Sequence, residues 1–267
     1  MNTLPKTETL ILDLDKGWLT IWFNTPDNRN ALSEKLADEL KQTLLQIRDD
    51  RSVRGITLRG KGGVFCAGGD LKGFMKSLSG GMSRDEAATM NRSGGELFAL
   101  VNTMPQVVVA LVEGAAIAGG LGLVCCADIV MVMKEAKFSL TETQLGITPA
   151  QIAPYVVQRL GLTSARRLML TGARFDGAEA GRLGLADTVA EQASDLESVE
   201  AVLRKDVMRC APGANAITKE IVLASQTLHS NEMMAFAAER FAQCITGEEG
   251  REGIAAFVEK RKPAWAH

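Results

Sequence analysis

The chain has 267 residues, 46% apolar and 23% charged, with a formal net charge of −2 and a pI near 5.9. That balance permits a sizeable core and excludes a broad basic face of the kind that binds nucleic acid or an anionic membrane surface. The five cysteines are odd in number and lack CxxC spacing, so they read as small buried hydrophobes in a reducing, cytoplasmic setting, with no metal site implied.

Leu10 to Leu14 and Trp18 to Phe23 are β-type runs separated by Asp15-Lys16-Gly17, which predicts an opening hairpin. Ser33 can cap a helix on which Leu36, Leu40, Leu44 and Ile47 share one face. Ile56 to Leu58, Val107 to Val112 and Ile129 to Met133 follow as strands, with a helix expected over Gly119 to Cys126. Strands alternating with glycine turns and helices indicate an α/β architecture. After Asp195 only helical periodicity remains, over Val199 to Cys210, Ala214 to Thr227, Met233 to Ile245 and Gly253 to Lys260. Two parts are therefore expected, 1–195 and 196–267. No apolar run is long enough to span a bilayer, so no membrane association is expected.

Two glycine-rich segments stand between strand and helix: Phe65-Cys66-Ala67-Gly68-Gly69-Asp70-Leu71 and Gly114 to Gly122. Backbone N–H groups at a helix start have no intrahelical partner and lie at the positive end of the helix dipole. Either turn alone reads as tight packing. Two converging on one oxygen would form an oxyanion hole. Neither segment has the spacing of a Walker loop or a dinucleotide fingerprint.

These segments, together with Asn28 to Ser33, Phe138 to Gly146 and the closing Phe257 to Trp265, make the chain similar to the enoyl-CoA hydratase/isomerase (crotonase) superfamily along almost its whole length. The resemblance implies a crotonase-like spiral of ββα units with a helical C-terminal trimerisation subdomain, as a homotrimer or a dimer of trimers. It implies an acyl-CoA thioester as partner and no separate cofactor, since CoA belongs to the substrate. The oxyanion donors would be the N–H groups of Gly69 and Gly119. Asn30, Ala31, Ala67, Gly68, Asp70, Leu71 and Gly120 would line the bound thioester, and Lys260 would reach a CoA phosphate.

Hydration also needs a group that trades protons. Only two histidines exist, His229 in the helical tail and His267 at the end, which argues against a Ser-His-Asp site. Many hydratases of the superfamily use two glutamates. The second corresponds here to Glu142, while the first position is Gly122. Three readings follow: Glu142 serves as both base and acid in hydration, or moves a proton between carbons as an isomerase, or is structural in a protein that binds acyl-CoA or RNA without chemistry. In the Ala-x-Ile-x-Pro-Tyr-Val pattern of Ala150 to Val156, and in lacking the first glutamate, the chain resembles bacterial hydratases of methylglutaconyl-CoA and isohexenylglutaconyl-CoA. Gln151 and Tyr155, one helical turn apart, could then meet the distal carboxylate of such a substrate. Arg84 and Arg92 are further candidates, and Phe98 and Met104 could supply an acyl wall.

Overall fold

The computed structural model describes residues 4–266. The opening hairpin pairs β1 (Leu10–Asp15) with β2 (Trp18–Phe23) from Leu10↔Phe23 to Asp15↔Trp18. Lys16 and Gly17 turn the chain with φ of 47° and 81°, and two left-handed residues give the turn whose twist suits a hairpin. Helix α1 (Glu34–Ile47) starts at Ser33, whose Oγ accepts from the Leu36 N–H, and buries the expected Leu36, Leu40, Leu44 and Ile47.

From there the chain repeats one circuit. A strand enters a large sheet, a short strand enters a small one, and a helical segment returns. The first circuit is β3 (Gly55–Gly60), β4 (Val64–Cys66), α2 (Leu71–Ser79) and α3 (Arg84–Thr103). The second is β5 (Val107–Val112), β6 (Ala115–Ile117) and α4 (Gly119–Cys126). The third is β7 (Ile129–Met133), β8 (Lys137–Ser139) and α5 (Ala153–Thr171), after which β9 (Phe175–Asp176), α6 (Gly177–Arg182) and β10 (Thr188–Ala190) close the spiral.

The large sheet has the order β1-β2-β3-β5-β7-β10, parallel from β2 onward. Its strands are near-continuous apolar runs because helices cover both faces. The small sheet has the order β4-β6-β8-β9. Its strands were not legible in the sequence: they are two or three residues long and mostly lack a period of their own. Each glycine turn thus follows a small-sheet strand rather than the long strand before it. The architecture is the ββα spiral that the sequence implied.

Helix α7 (Ala193–Arg209) lies on the large sheet with Leu196 and Val207 in an apolar cluster beside Trp18, Val109 and Met131. Beneath it, buried Glu200 accepts from Thr57 Oγ1 and from Arg204, and Trp18 Nε1 donates to Thr57 Oγ1 at 2.8 Å. The boundary expected at 195/196 falls inside α7, because helical periodicity is the same whether a helix covers a sheet or leaves it. Helices α8 (Pro212–Ala224), α9 (Ser230–Thr246) and α10 (Glu248–Val258) bury little of themselves in one chain. Met234, Phe241, Ile254, Phe257 and Val258 stay exposed. Lys219 pins α8 to the body, donating to the carbonyls of Met104 and Gln106 and to Asp128.

Of the five cysteines, Cys66, Cys125 and Cys126 are buried, but Cys210 is exposed and Cys244 half-buried. Periodicity on α7 and α9 did not resolve which side would face solvent. Among the described residues no helix is long and apolar enough to cross a membrane, and no cluster of His, Cys, Asp and Glu is placed to hold a metal.

Candidate active site

The two glycine turns meet. A β-carbon on Gly68 would lie 2.8 Å from Ala118 Cβ, 2.9 Å from the Ile117 carbonyl oxygen and 3.4 Å from Gly119 N. Gly68 has φ of 92°, so glycine is required there both for conformation and for space. The Leu32 N–H donates to the Gly68 carbonyl at 2.7 Å in an isolated parallel bridge between Leu32 and Gly69, a pattern that keeps the Gly69 N–H outside the ladder. Gly119 is the first residue of α4, where no intrahelical acceptor exists. Neither N–H has an acceptor among the described residues. The residue before it, Ala118, has φ 51° and ψ −121°, and such strain is a recurrent feature of functional turns.

Glu142 begins a short 3₁₀ turn, Glu142–Leu145, three residues past β8. Strand β8 pairs with β6, and the Ala118 N–H donates to the Ser139 carbonyl at 2.8 Å, so the acid and the Gly119 turn share one rigid support. Glu142 is 8% exposed, and its Oε2 is buried without a hydrogen-bond partner among the described residues. Burial pushes its carboxyl above the ordinary range. A buried, unsatisfied carboxylate oxygen costs stability and marks a group kept for something other than packing. Its neighbours Thr143 and Gln144, in contrast, donate to carbonyls at the end of α5 and are structural.

Around these groups the wall is apolar. A β-carbon on Gly119 would lie 3.7 Å from Phe98 Cζ and 3.1 Å from Leu32 Cδ1. The Phe98 ring also packs on Tyr155, with centroids 6.5 Å apart. The edge of Phe74 stands 2.9 Å from where a Gly69 β-carbon would be. Tyr155 is half-buried, and desolvation first and Cys126 second push its phenol upward, so it is a neutral donor near pH 7. Phe74 was missed in the sequence, and Ile152 stood there only as part of a resemblance: an apolar residue near a motif gives no sign of which way it points.

The structure distributes the other expected site residues unevenly. Ala31, Ala67 and Gly68 lie where the loops meet: the Ala67 N–H donates to the Arg29 carbonyl. Asn30 is fully buried, but its side chain is consumed locally, accepting from Thr25 N and donating to the carbonyls of Lys61 and Val64. Its backbone N–H donates to the Thr25 carbonyl as well and none of the residue is exposed, so Asn30 shapes its loop rather than lining the bound thioester as expected. Asp70 caps α2 by accepting from Lys72 N, and Leu71 is exposed. Gly120 packs on β4, where a β-carbon would be 2.3 Å from the Cys66 carbonyl. The Gln151 amide donates to Asn91 Oδ1 at 2.8 Å beside α3. Gln151 precedes α5 rather than lying on it, yet both it and Tyr155 face α3. Arg84 and Arg92 are exposed. Met104 is not part of the acyl wall: it is fully buried at the far end of α3, beside Lys219.

Lys260 is exposed, with a left-handed φ of 54°, beyond α10. Its segment is tied to Glu252, Arg209 and Arg54 rather than to either glycine turn. Cavities of about 570 and 430 Å³ also lie away from the turns, around Lys219 and the far end of α4. Lys219 and Arg159, which line the larger of them, are already paired with Asp128 and Asp187.

Residues 14–267 match the family model described as enoyl-CoA hydratase/isomerase. The chain is 34% identical to a putative enoyl-CoA hydratase of Thermus thermophilus over 95% of its own length and 99% of the relative's. Among solved structures it is similar to Pseudomonas aeruginosa AtuE, at 48% identity and a TM-score of 0.94, covering 97% of this chain and 100% of that one. An enoyl-CoA hydratase/isomerase from Marinobacter aquaeolei gives 43% identity and a TM-score of 0.92, covering 97% and 99%. Paired glycine turns, a buried acid beside them, and similarity over nearly the whole length agree, and the chain belongs to the enoyl-CoA hydratase/isomerase family.

Proposed function

We propose that the protein hydrates a conjugated enoyl-CoA thioester, with a 3-branched glutaconyl group as the acyl part. The observation that carries this reading is the buried Glu142 oxygen without a partner, on the support that also holds the Gly119 turn. The thioester carbonyl accepts from the N–H groups of Gly69 and Gly119. Water adds through oxygen to Cβ while Glu142 takes its proton. Negative charge collects on the thioester oxygen, where the two amides hold it. Glu142 then returns the proton to Cα, so that one water has been added and the carboxylate is restored. Desolvation of Glu142 favours this shuttling, because it brings the carboxyl nearer to neutral pH.

The CoA arm lies along the Ala31, Ala67, Asp70 and Leu71 border. Gln151 and Tyr155, both facing α3, supply neutral donors for a distal carboxylate. The exposed apolar residues of α9 and α10 support assembly into trimers, in which Lys260 reaches the CoA phosphates of a neighbouring subunit.

The test is a panel of enoyl-CoA esters incubated in isotopically labelled water, with products resolved by mass. The expected result is loss of the conjugated-thioester absorbance and gain of one labelled water, fastest with 3-methylglutaconyl-CoA. A product of unchanged mass with a shifted double bond would establish the isomerase instead, and unaltered ester would leave a binding protein.

A further inference from the structure

Gln151 and Ile152 are consecutive, and each side chain is seated where a glycine on a different helix leaves room. At Gly95 of α3 a β-carbon would lie 2.3 Å from Gln151 Oε1. At Gly122 of α4 it would lie 2.3 Å from Ile152 Cγ2, 2.9 Å from Ile152 Cβ and 3.2 Å from Phe98 Cε1. The hydrogen bond that Gln151 donates to Asn91 Oδ1 holds the loop that follows Glu142 against α3, and Ile152 is thereby pressed onto the first turn of α4.

Gly122 is three residues beyond Gly119, on the same face of α4. The Phe98 ring stands next to both positions. A side chain at 122 would therefore address whatever the Gly119 amide holds. Ile152, 4% exposed and without a polar atom, occupies that approach with hydrocarbon.

Building on the enoyl-CoA reading of the site, we propose that Ile152 is a specificity-determining residue. Seated on Gly122, it closes a position from which a second acid could reach the reacting carbons, and so leaves proton exchange at Cα to Glu142. Glycine at 122 and isoleucine at 152 are then one feature, each requiring the other.

The test has a folding arm and a chemical arm. Gly122→Ala should lower the thermal midpoint and the soluble yield, and adding Ile152→Ala should restore both. A Gly122→Ala protein as stable as wild type, or one that Ile152→Ala does not rescue, overturns the assignment. For the chemistry, deuterium uptake at Cα of 3-methylglutaryl-CoA in heavy water is followed by mass spectrometry. Wild type should exchange and Glu142→Gln should not. Glu142→Gln combined with Gly122→Glu and Ile152→Ala should recover exchange at least tenfold over Glu142→Gln alone. A triple variant that folds and binds the ester but exchanges no faster also overturns the assignment. Failure of wild type to exchange removes the reading of Glu142 as the group that moves a proton at Cα, a distinct outcome from failure of the triple variant.

Discussion

The backbone N–H of Ala118 donates to the carbonyl of Ser139 at 2.8 Å, and this one bond joins the turn that presents Gly119 to the strand that leads to Glu142. Ala118 reaches that geometry at φ 51° and ψ −121°, a conformation natural to glycine. Strain of this kind costs about 1–3 kcal/mol, and glycine loses about 0.5–1 kcal/mol more backbone entropy on folding than alanine. Ala118→Gly is therefore expected to stabilise the protein by about 1 kcal/mol in chemical denaturation, whereas the β-branched Ala118→Val should destabilise it.

Glu142→Gln should lower turnover by about a hundredfold or more while binding of the CoA ester persists, since a positioned acid or base contributes roughly 10² to 10⁴ in rate. Full turnover in that variant would remove Glu142 from the mechanism.

The pH dependence follows from the same burial. Glu142 has its folded-state value raised above 4.5, so the folded chain holds this proton more tightly than the unfolded chain. Its contribution to stability is fully present below 4.5 and is lost as pH rises through the raised value. Glu142→Gln should accordingly be more stable than wild type at neutral pH, with the difference shrinking as pH falls. Activity should rise with pH along a limb displaced above the ordinary carboxylate range, as the base must be ionised to accept a proton from water.

Gly68→Ala should separate the two turns, since its β-carbon would come within 2.9 Å of both Ala118 Cβ and the Ile117 carbonyl oxygen. Losing one oxyanion donor costs about 2.7–4 kcal/mol of transition-state stabilisation, so kcat should fall roughly a hundredfold or more. Comparison of kcat with the ester's Kd separates this from simple loss of binding.

Glu200→Ala removes the acceptor that Thr57 and Arg204 share beneath α7. Removing one member of a buried pair costs about 3–5 kcal/mol, and Arg204 is partly exposed, so the lower end is expected. Trp18, hydrogen-bonded to Thr57, should report the change through its fluorescence during unfolding.

Phe257→Asp places a charge on the most exposed large apolar side chain among the described residues, at 85% exposure. If α9 and α10 are an assembly surface, sedimentation should show smaller species than wild type at the same concentration. An unchanged sedimentation profile would exclude Phe257 from the contact.

Much was legible in the sequence where the physics is local. The hairpin, the apolar strands Val107–Val112 and Ile129–Met133, and the helix Gly119–Cys126 were readable because each carries its own period or turn chemistry. Glycines between strand and helix disclosed where a backbone could meet a ligand, and the lone Glu142 could be picked out by its place in the pattern. The sequence alone could not say what fills the space beside Gly122, because that depends on Ile152 arriving from a loop thirty residues later. Nor could it separate Asn30, whose amide is consumed within its own loop, from a residue that faces the ligand. Side-chain direction and the partnering of buried polar atoms are properties of packing between distant segments. The tertiary structure alone decided them.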